Sequence, residues 1–156
     1  MTNSPAVGEK APDLPLMMED GSTLALKDLK GKKVVLYFYP KDDTPGCTKE
    51  AIAFSADIGK FKRAGAVVIG VSRDKVTKHQ KFIDKYDLKV RLASDEDGEV
   101  CEAFGVWVEK SMYGKKYMGI ERSTFLVDEK GVIRECWRKV KVPGHAEAVL
   151  EAVKAI

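Results

Sequence analysis

The apolar positions of the chain fall into two periods. Lys33 to Tyr39 (KVVLYFY) and Ala66 to Val71 (AVVIGV) are short, almost continuous apolar runs rich in β-branched and aromatic residues, the pattern of strands buried on both faces of an α/β sheet. Between them, counting from Cys47, the residues Ala51, Phe54, Ile58 and Phe61 recur at alternating steps of four and three. That spacing predicts a helix over about 45–64, closed by Gly65, with Cys47 on its buried stripe. A strand, a helix and a second buried strand imply a parallel βαβ crossover.

The remaining pattern extends this unit on both sides. Leu14 to Met18 and Thr23 to Leu26 flank the turn pair Asp20-Gly21 and predict an N-terminal hairpin. A helix over 75–86 carries Val76, His79, Ile83 and Tyr86 on one face, with His79 expected as a hydrogen-bonded histidine at the edge of the core. Val90 to Ala93 reads as a short strand, and Asp95-Glu96-Asp97-Gly98 opens a short helix bearing Val100, Cys101 and Phe104. Gly105 to Gly119 has no clean period and reads as a surface loop. Glu121 to Val127 and Val132 to Arg138 flank a second turn and predict an antiparallel hairpin, and a last helix from about Pro143-Gly144 buries Ala146, Val149, Leu150, Val153 and Ile156. The sum is an α/β, thioredoxin-like fold: a mixed central sheet flanked by helices, with an N-terminal β-hairpin extension, in a single domain spanning 1–156.

The chemistry gathers where the first buried strand ends. Pro40 stops the strand, Lys41-Asp42-Asp43 makes a polar turn, Thr44 is placed as helix N-cap and Pro45 as first helical residue. Cys47 then occupies the third helical position. A helix start exposes N–H groups without intrahelical acceptors and carries the positive end of the macrodipole, so it favours an anion such as a thiolate. Buried cysteines also serve as inert packing residues. Here, though, strand end, cap, proline and cysteine coincide at the carboxyl edge of the sheet, where α/β proteins place their ligands.

Composition narrows the classes. The 156 residues are 44% hydrophobic and 33% charged with a net charge of +3, a balance that fits a folded domain and not a disordered chain. The basic groups Lys115-Lys116 and Arg138 to Lys141 lack an accompanying aromatic surface motif, so no nucleic-acid partner is expected. No apolar run reaches membrane-spanning length and the opening MTNSPAVGEKAPD lacks a targeting pattern, so a cytoplasmic protein is expected. Three cysteines without a CxxC do not form a disulfide framework, and with only His79 and His145 available no metal site is expected.

The spacing PxxxTxxC at Pro40, Thr44 and Cys47, within FYPKDDTPGCTKEA, resembles the active-site motif of the Q-type peroxiredoxins, also called bacterioferritin comigratory proteins. The resemblance extends through GEKAPDLPL, GVSRD, SDEDGEVCEAFGVW and ERSTFLVD, nearly the whole chain. It implies a thiol peroxidase acting on hydrogen peroxide and organic hydroperoxides without a cofactor. In that family's terms Cys47 is the peroxidatic thiolate that becomes a sulfenic acid. Thr44, through its hydroxyl, and Arg122 supply hydrogen-bond donors, Glu50 orients the arginine, and Pro40 walls the pocket. Tyr39 and Trp107 are candidate lining residues.

The sequence departs from the subfamily in one respect. Many members carry a resolving cysteine five residues after the peroxidatic one, where this chain has Ile52, and others carry it in the next helix, where residues 75–86 contain none. Cys101 is the remaining candidate resolver by position, set against a packing role beside Val100 and Phe104, and Cys136 is expected to be structural. The expectation is a one-cysteine enzyme, monomeric, re-reduced by thioredoxin, glutaredoxin or a low-molecular-weight thiol. The rival classes are a thiol–disulfide oxidoreductase and a thioredoxin-fold binding or chaperone module.

Overall fold

The computed structural model describes residues 4–156, so the first three residues of the segment read for a targeting signal lie outside it. Its centre is β3 (Lys33–Phe38), which pairs in parallel with β4 (Ala66–Ser72), itself parallel to β5 (Arg91–Ser94). The N-terminal hairpin of β1 (Pro15–Met18) and β2 (Thr23–Ala25) does not stand apart. It docks antiparallel on β5 and becomes one edge of the sheet. On the other side β8 (Ser123–Val127) pairs antiparallel with β3, and β9 (Ile133–Trp137) with β8. The result is one mixed seven-stranded sheet in the order β2-β1-β5-β4-β3-β8-β9.

Alternation along β3 divides the interior into two cores. Val35 and Tyr37 point to the face covered by α1 (Pro45–Ala56), α2 (Ile58–Arg63), α3 (Val76–Tyr86) and α5 (His145–Lys154), and Tyr39, just past the strand, joins them. Val34, Leu36 and Phe38 point to the other face, closed by α4 (Glu99–Ala103), Phe104, Val106 and the N-terminal hairpin. The predicted βαβ crossover is present, with one correction: the helix expected over 45–64 is two helices, broken at Asp57 (φ −101°, ψ 9°). Asp57 and Gly59 are weak helix formers. The buried stripe nevertheless runs on across the break, with the Phe54 and Phe61 rings 5.8 Å apart.

A second correction concerns 105–119. Instead of a loop, β6 (Trp107–Met112) and β7 (Lys115–Ile120) form an antiparallel hairpin outside the main sheet, turning at Tyr113-Gly114 with both φ values positive (52° and 79°). That turn matches strand twist. Both faces of the hairpin are largely exposed, so its sequence never needed the apolar alternation that marks a half-buried strand.

Gly70 shows how tightly the cysteine-bearing face is filled. A Cβ there would lie 2.5 Å from Tyr37 Cζ and 2.9 Å from Leu92 Cδ2, while Tyr37 is fixed between β3 and its stack on Phe54 (4.7 Å, 22°). Gly70→Ala is expected to destabilise the fold by about 1–3 kcal/mol, read as a lower urea midpoint with an unchanged slope.

Candidate active site

The loop between β3 and α1 delivers Cys47 as the sequence predicts. Tyr39 N–H still donates to the Val71 carbonyl (3.1 Å), and the chain then leaves the sheet. Thr44 has the extended backbone of an N-cap (φ −106°, ψ 154°), Pro45 is the first helical residue, and the Thr44 carbonyl accepts the Thr48 N–H (2.9 Å). The Thr44 side chain, however, does not cap the helix. Its hydroxyl donates to the Lys41 carbonyl (2.8 Å), which leaves the first-turn N–H groups, that of Cys47 included, without an intrahelical acceptor.

Cys47 is buried at 2% exposure among Tyr37, Tyr39, Ala51 and Phe54. Arg122 reaches it from the two-residue link between β7 and β8, not from a strand as the pattern suggested. One terminal nitrogen, Nη2, donates to Cys47 Sγ at 3.3 Å, and the other, Nη1, donates to Glu50 Oε1 at 2.7 Å. Glu50 lies one helical turn beyond Cys47 on the same face. The guanidinium lies over the helix start at Gly46, where a Cβ would come within 3.1 Å of Nη2 and crowd it.

The electrostatics follow from one cation facing two acids out of water. Burial opposes the charge on Arg122, but Glu50 and Cys47 beside it hold its pKa above the ordinary value. Glu50, 1% exposed and with Oε2 lacking any partner, is pushed by burial from 4.5 up to about 7, against the pull of Arg122. Tyr37, whose hydroxyl also has no partner, is raised well above its ordinary value by burial and then by Glu50.

Pro40 is exposed at the rim of an open cleft of about 470 Å³ whose other walls include Trp107, Lys110, Tyr117, Met118 and Ile120. The β6–β7 hairpin therefore forms one wall beside the site. Trp107 lines this cleft, with the Arg73 guanidinium 4.5 Å from its ring centroid. Tyr39 instead packs behind Cys47, its hydroxyl bonded to Asp42.

The other cysteines lie elsewhere. Cys101 has no exposed surface and belongs to the core on the opposite face of the sheet from Cys47. Burial and a hydrogen bond to Asp95 push its thiol strongly up. Cys136, partly buried on β9, packs against that same far core and is also raised by burial. Neither histidine contacts Cys47: His145 bonds Thr124 (2.7 Å) and is lowered to about 4 by burial and by Arg122, while His79 bonds Asp42 and Ala93.

This arrangement, a cysteine at a helix start under an arginine that a buried glutamate holds, has close relatives. The sequence profile of the AhpC/TSA family matches residues 7–136. The peroxiredoxin Bcp of Bacillus subtilis is 51% identical over 148 residues, covering 95% of this chain and 94% of the relative, and that of Escherichia coli K12 is 44% identical over 147 residues, covering 94% of each. Among solved structures, a mutant of Xylella fastidiosa PrxQ superposes with a TM-score of 0.93 at 43% identity over 98% of both chains. The Xanthomonas campestris bacterioferritin comigratory protein, described for its alkyl peroxide reduction activity, gives 0.90 at 47% identity over 96% of this chain and 98% of its own. The chain belongs to the AhpC/TSA family and is a peroxiredoxin, a thiol-dependent peroxidase on a thioredoxin fold. Among the described residues no helix is long and apolar enough to cross a membrane.

The raised Glu50 pKa gives stability a pH signature. Below 4.5 the carboxyl is neutral folded and unfolded, whereas above about 7 the folded state carries the full penalty of a buried charge. Measured against Glu50→Gln, the wild type is therefore expected to lose stability as pH rises from 4.5 through 7, by on the order of 3 kcal/mol in total. Urea melts of both proteins at pH 5 and pH 8 check the sign; a gap that stays constant would overturn it.

Proposed function

We propose that Cys47 is the peroxidatic cysteine. Its sulfur attacks one oxygen of the hydroperoxide in line, an S–O bond forms as the O–O bond breaks, and the sulfur ends as a sulfenic acid. The second oxygen departs as water or an alcohol once it takes up a proton. The observation that carries this reading is the Arg122 Nη2 donor 3.3 Å from Cys47 Sγ, with Glu50 holding the other end of the guanidinium at 2.7 Å. Negative charge spreads over both oxygens in the transition state, and preorganised donors that meet it lower the barrier most. Arg122 and the Cys47 N–H are those donors. The oxygen of Thr44, whose own proton goes to Lys41, accepts from a bound hydroperoxide, and donation to the leaving oxygen requires that hydroxyl to turn. Pro40 keeps bulk water from the sulfur. Sulfur supplies both electrons, so the step needs no cofactor.

The substrates we assign are hydrogen peroxide and organic hydroperoxides, since the cleft beside Pro40 has room for an alkyl group. The alkyl peroxide reduction described for the Xanthomonas relative supports this. Re-reduction falls to an external thiol, thioredoxin, glutaredoxin or a low-molecular-weight thiol, in a one-cysteine cycle. Position 52 is isoleucine, α3 has no cysteine, and the sheet stands between Cys47 and Cys101. A disulfide-transfer enzyme would need a second thiol beside Cys47, where Arg122 and Glu50 stand instead. We assign the protein as a monomeric, single-domain antioxidant enzyme of the cytoplasm, the compartment in which thiol reductants are maintained.

One equivalent of hydrogen peroxide is expected to add about 16 mass units at Cys47 as a trappable sulfenic acid, in wild type and in Cys101→Ser alike. A disulfide that forms in wild type and not in Cys101→Ser would make Cys101 the resolver. Cys47→Ser should abolish peroxide consumption, and Arg122→Met should slow Cys47 oxidation by about 10²–10³-fold, measured by stopped flow.

A further inference from the structure

We propose that His79 and Asp42 form a buried latch that positions the first turn of α1, making His79 a positioning residue for peroxide reduction at Cys47. The inference rests on the peroxidatic assignment of Cys47 and adds to it a residue from α3.

The proton count comes first. His79 has no exposed surface, and its two ring nitrogens face two acceptors: Nε2 lies 2.8 Å from the Ala93 carbonyl and Nδ1 lies 2.6 Å from Asp42 Oδ2. A carbonyl only accepts, so Nε2 donates. Without a further proton, Nδ1 would aim its lone pair at a carboxylate oxygen. One proton therefore lies between Nδ1 and Oδ2, and the pair is joined by a short, charge-assisted bond.

The surroundings complete the anchor. The other oxygen of Asp42 accepts from the Tyr39 hydroxyl (2.5 Å), and the Asp42 N–H donates to Asp74 Oδ2 (2.8 Å), which also accepts from Ser72 (2.7 Å). Lys78 approaches the far side of Asp74 at 3.3 Å. Asp42, Asp74 and His79 bring one ligand atom each within 4.8 Å of one another, a spacing that would suit a metal ion. Those atoms already serve hydrogen bonds, which accounts for their closeness.

The latch acts on the active site through two residues. Asp43 follows with φ +57°, a left-handed conformation uncommon for a residue with a side chain, held by Lys85 (2.8 Å) and the Tyr86 hydroxyl (2.6 Å) on the same α3. Thr44 comes next and starts the helix. Two consecutive aspartates thus tie the loop to α3, the exposed one weakly and the buried one strongly. Freeing Asp42 would shift the helix start, and with it Cys47 Sγ relative to Arg122.

Stopped-flow oxidation of Cys47 by hydrogen peroxide in His79→Phe and His79→Gln tests this, with urea melts to confirm folding. Phe removes both bonds, while Gln can still donate to Asp42. The expected result is an oxidation rate lower by about tenfold or more in His79→Phe and a smaller loss in His79→Gln, with iodoacetamide alkylation, which needs no aligned donors, slowed less than about threefold. Folded variants that oxidise at the wild-type rate would overturn the latch, as would peroxide and iodoacetamide rates that fall together. On wild type, nitrogen-15 NMR should show a far-downfield proton in the Nδ1–Oδ2 bond. Its absence overturns the latch even if no variant folds. Failure of wild-type Cys47 to react with peroxide would instead overturn the peroxidatic assignment beneath it.

Discussion

The contact on which the site depends is the forked one between Arg122 and its two acids. A single guanidinium reaches Cys47 Sγ and Glu50 Oε1 from adjacent nitrogens. Its planarity fixes both contacts together, which a lysine could not do. The demand propagates outward. Glycine at position 46 leaves room for Nη2 over the helix start, where a Cβ would sit tightly at 3.1 Å, and Glu50 lies one turn past the cysteine. Burial raises the Glu50 carboxyl to about 7 against the pull of Arg122.

The sheet is the second constraint. Successive side chains of a strand point to opposite faces, so β3 sends Tyr37 toward Cys47 and Leu36 and Phe38 toward Cys101. No rotamer change brings those two thiols together, because a layer of paired strands lies between them. Under the role proposed for Cys47, the absence of a cysteine at 52 and within α3 leaves the sulfenic acid to an outside thiol.

Much of this was legible in the sequence for a physical reason. The buried strands, the crossover and the Pro40–Cys47 turn are local patterns, and the strands at 33–38 and 66–72 lie within a residue of their expected bounds. What escaped was set by tertiary contact or by exposure. The β6–β7 hairpin faces water on both sides, so its residues alternate in nothing that hydropathy can register, and only the Tyr113-Gly114 turn marked it. The break at Asp57 was hidden because the apolar stripe continues across it. Thr44 was placed correctly as a cap residue, but the choice of its hydroxyl for Lys41 depends on the path of the loop. His79 read as a core-edge histidine, and its partners Asp42 and Ala93 come from two other parts of the chain.

The same neighbourhood concentrates the unfavourable features of the fold. Tyr37 Oη and Glu50 Oε2 are buried without partners, and Asp43 sits at a positive φ. A buried polar atom left unpaired costs about 1–3 kcal/mol, a cost that falls on the face bearing Cys47 and not on the apolar core around Phe104 and Phe125. In the proposed cycle a cysteine at 2% exposure must be uncovered before a bulky thiol can reach its sulfenic acid. Local opening starts where contacts are least favourable. The orphaned Tyr37 and Glu50 atoms beneath Cys47 therefore lie where the proposed cycle requires the structure to yield, while the Asp42–His79 bond holds the turn before it.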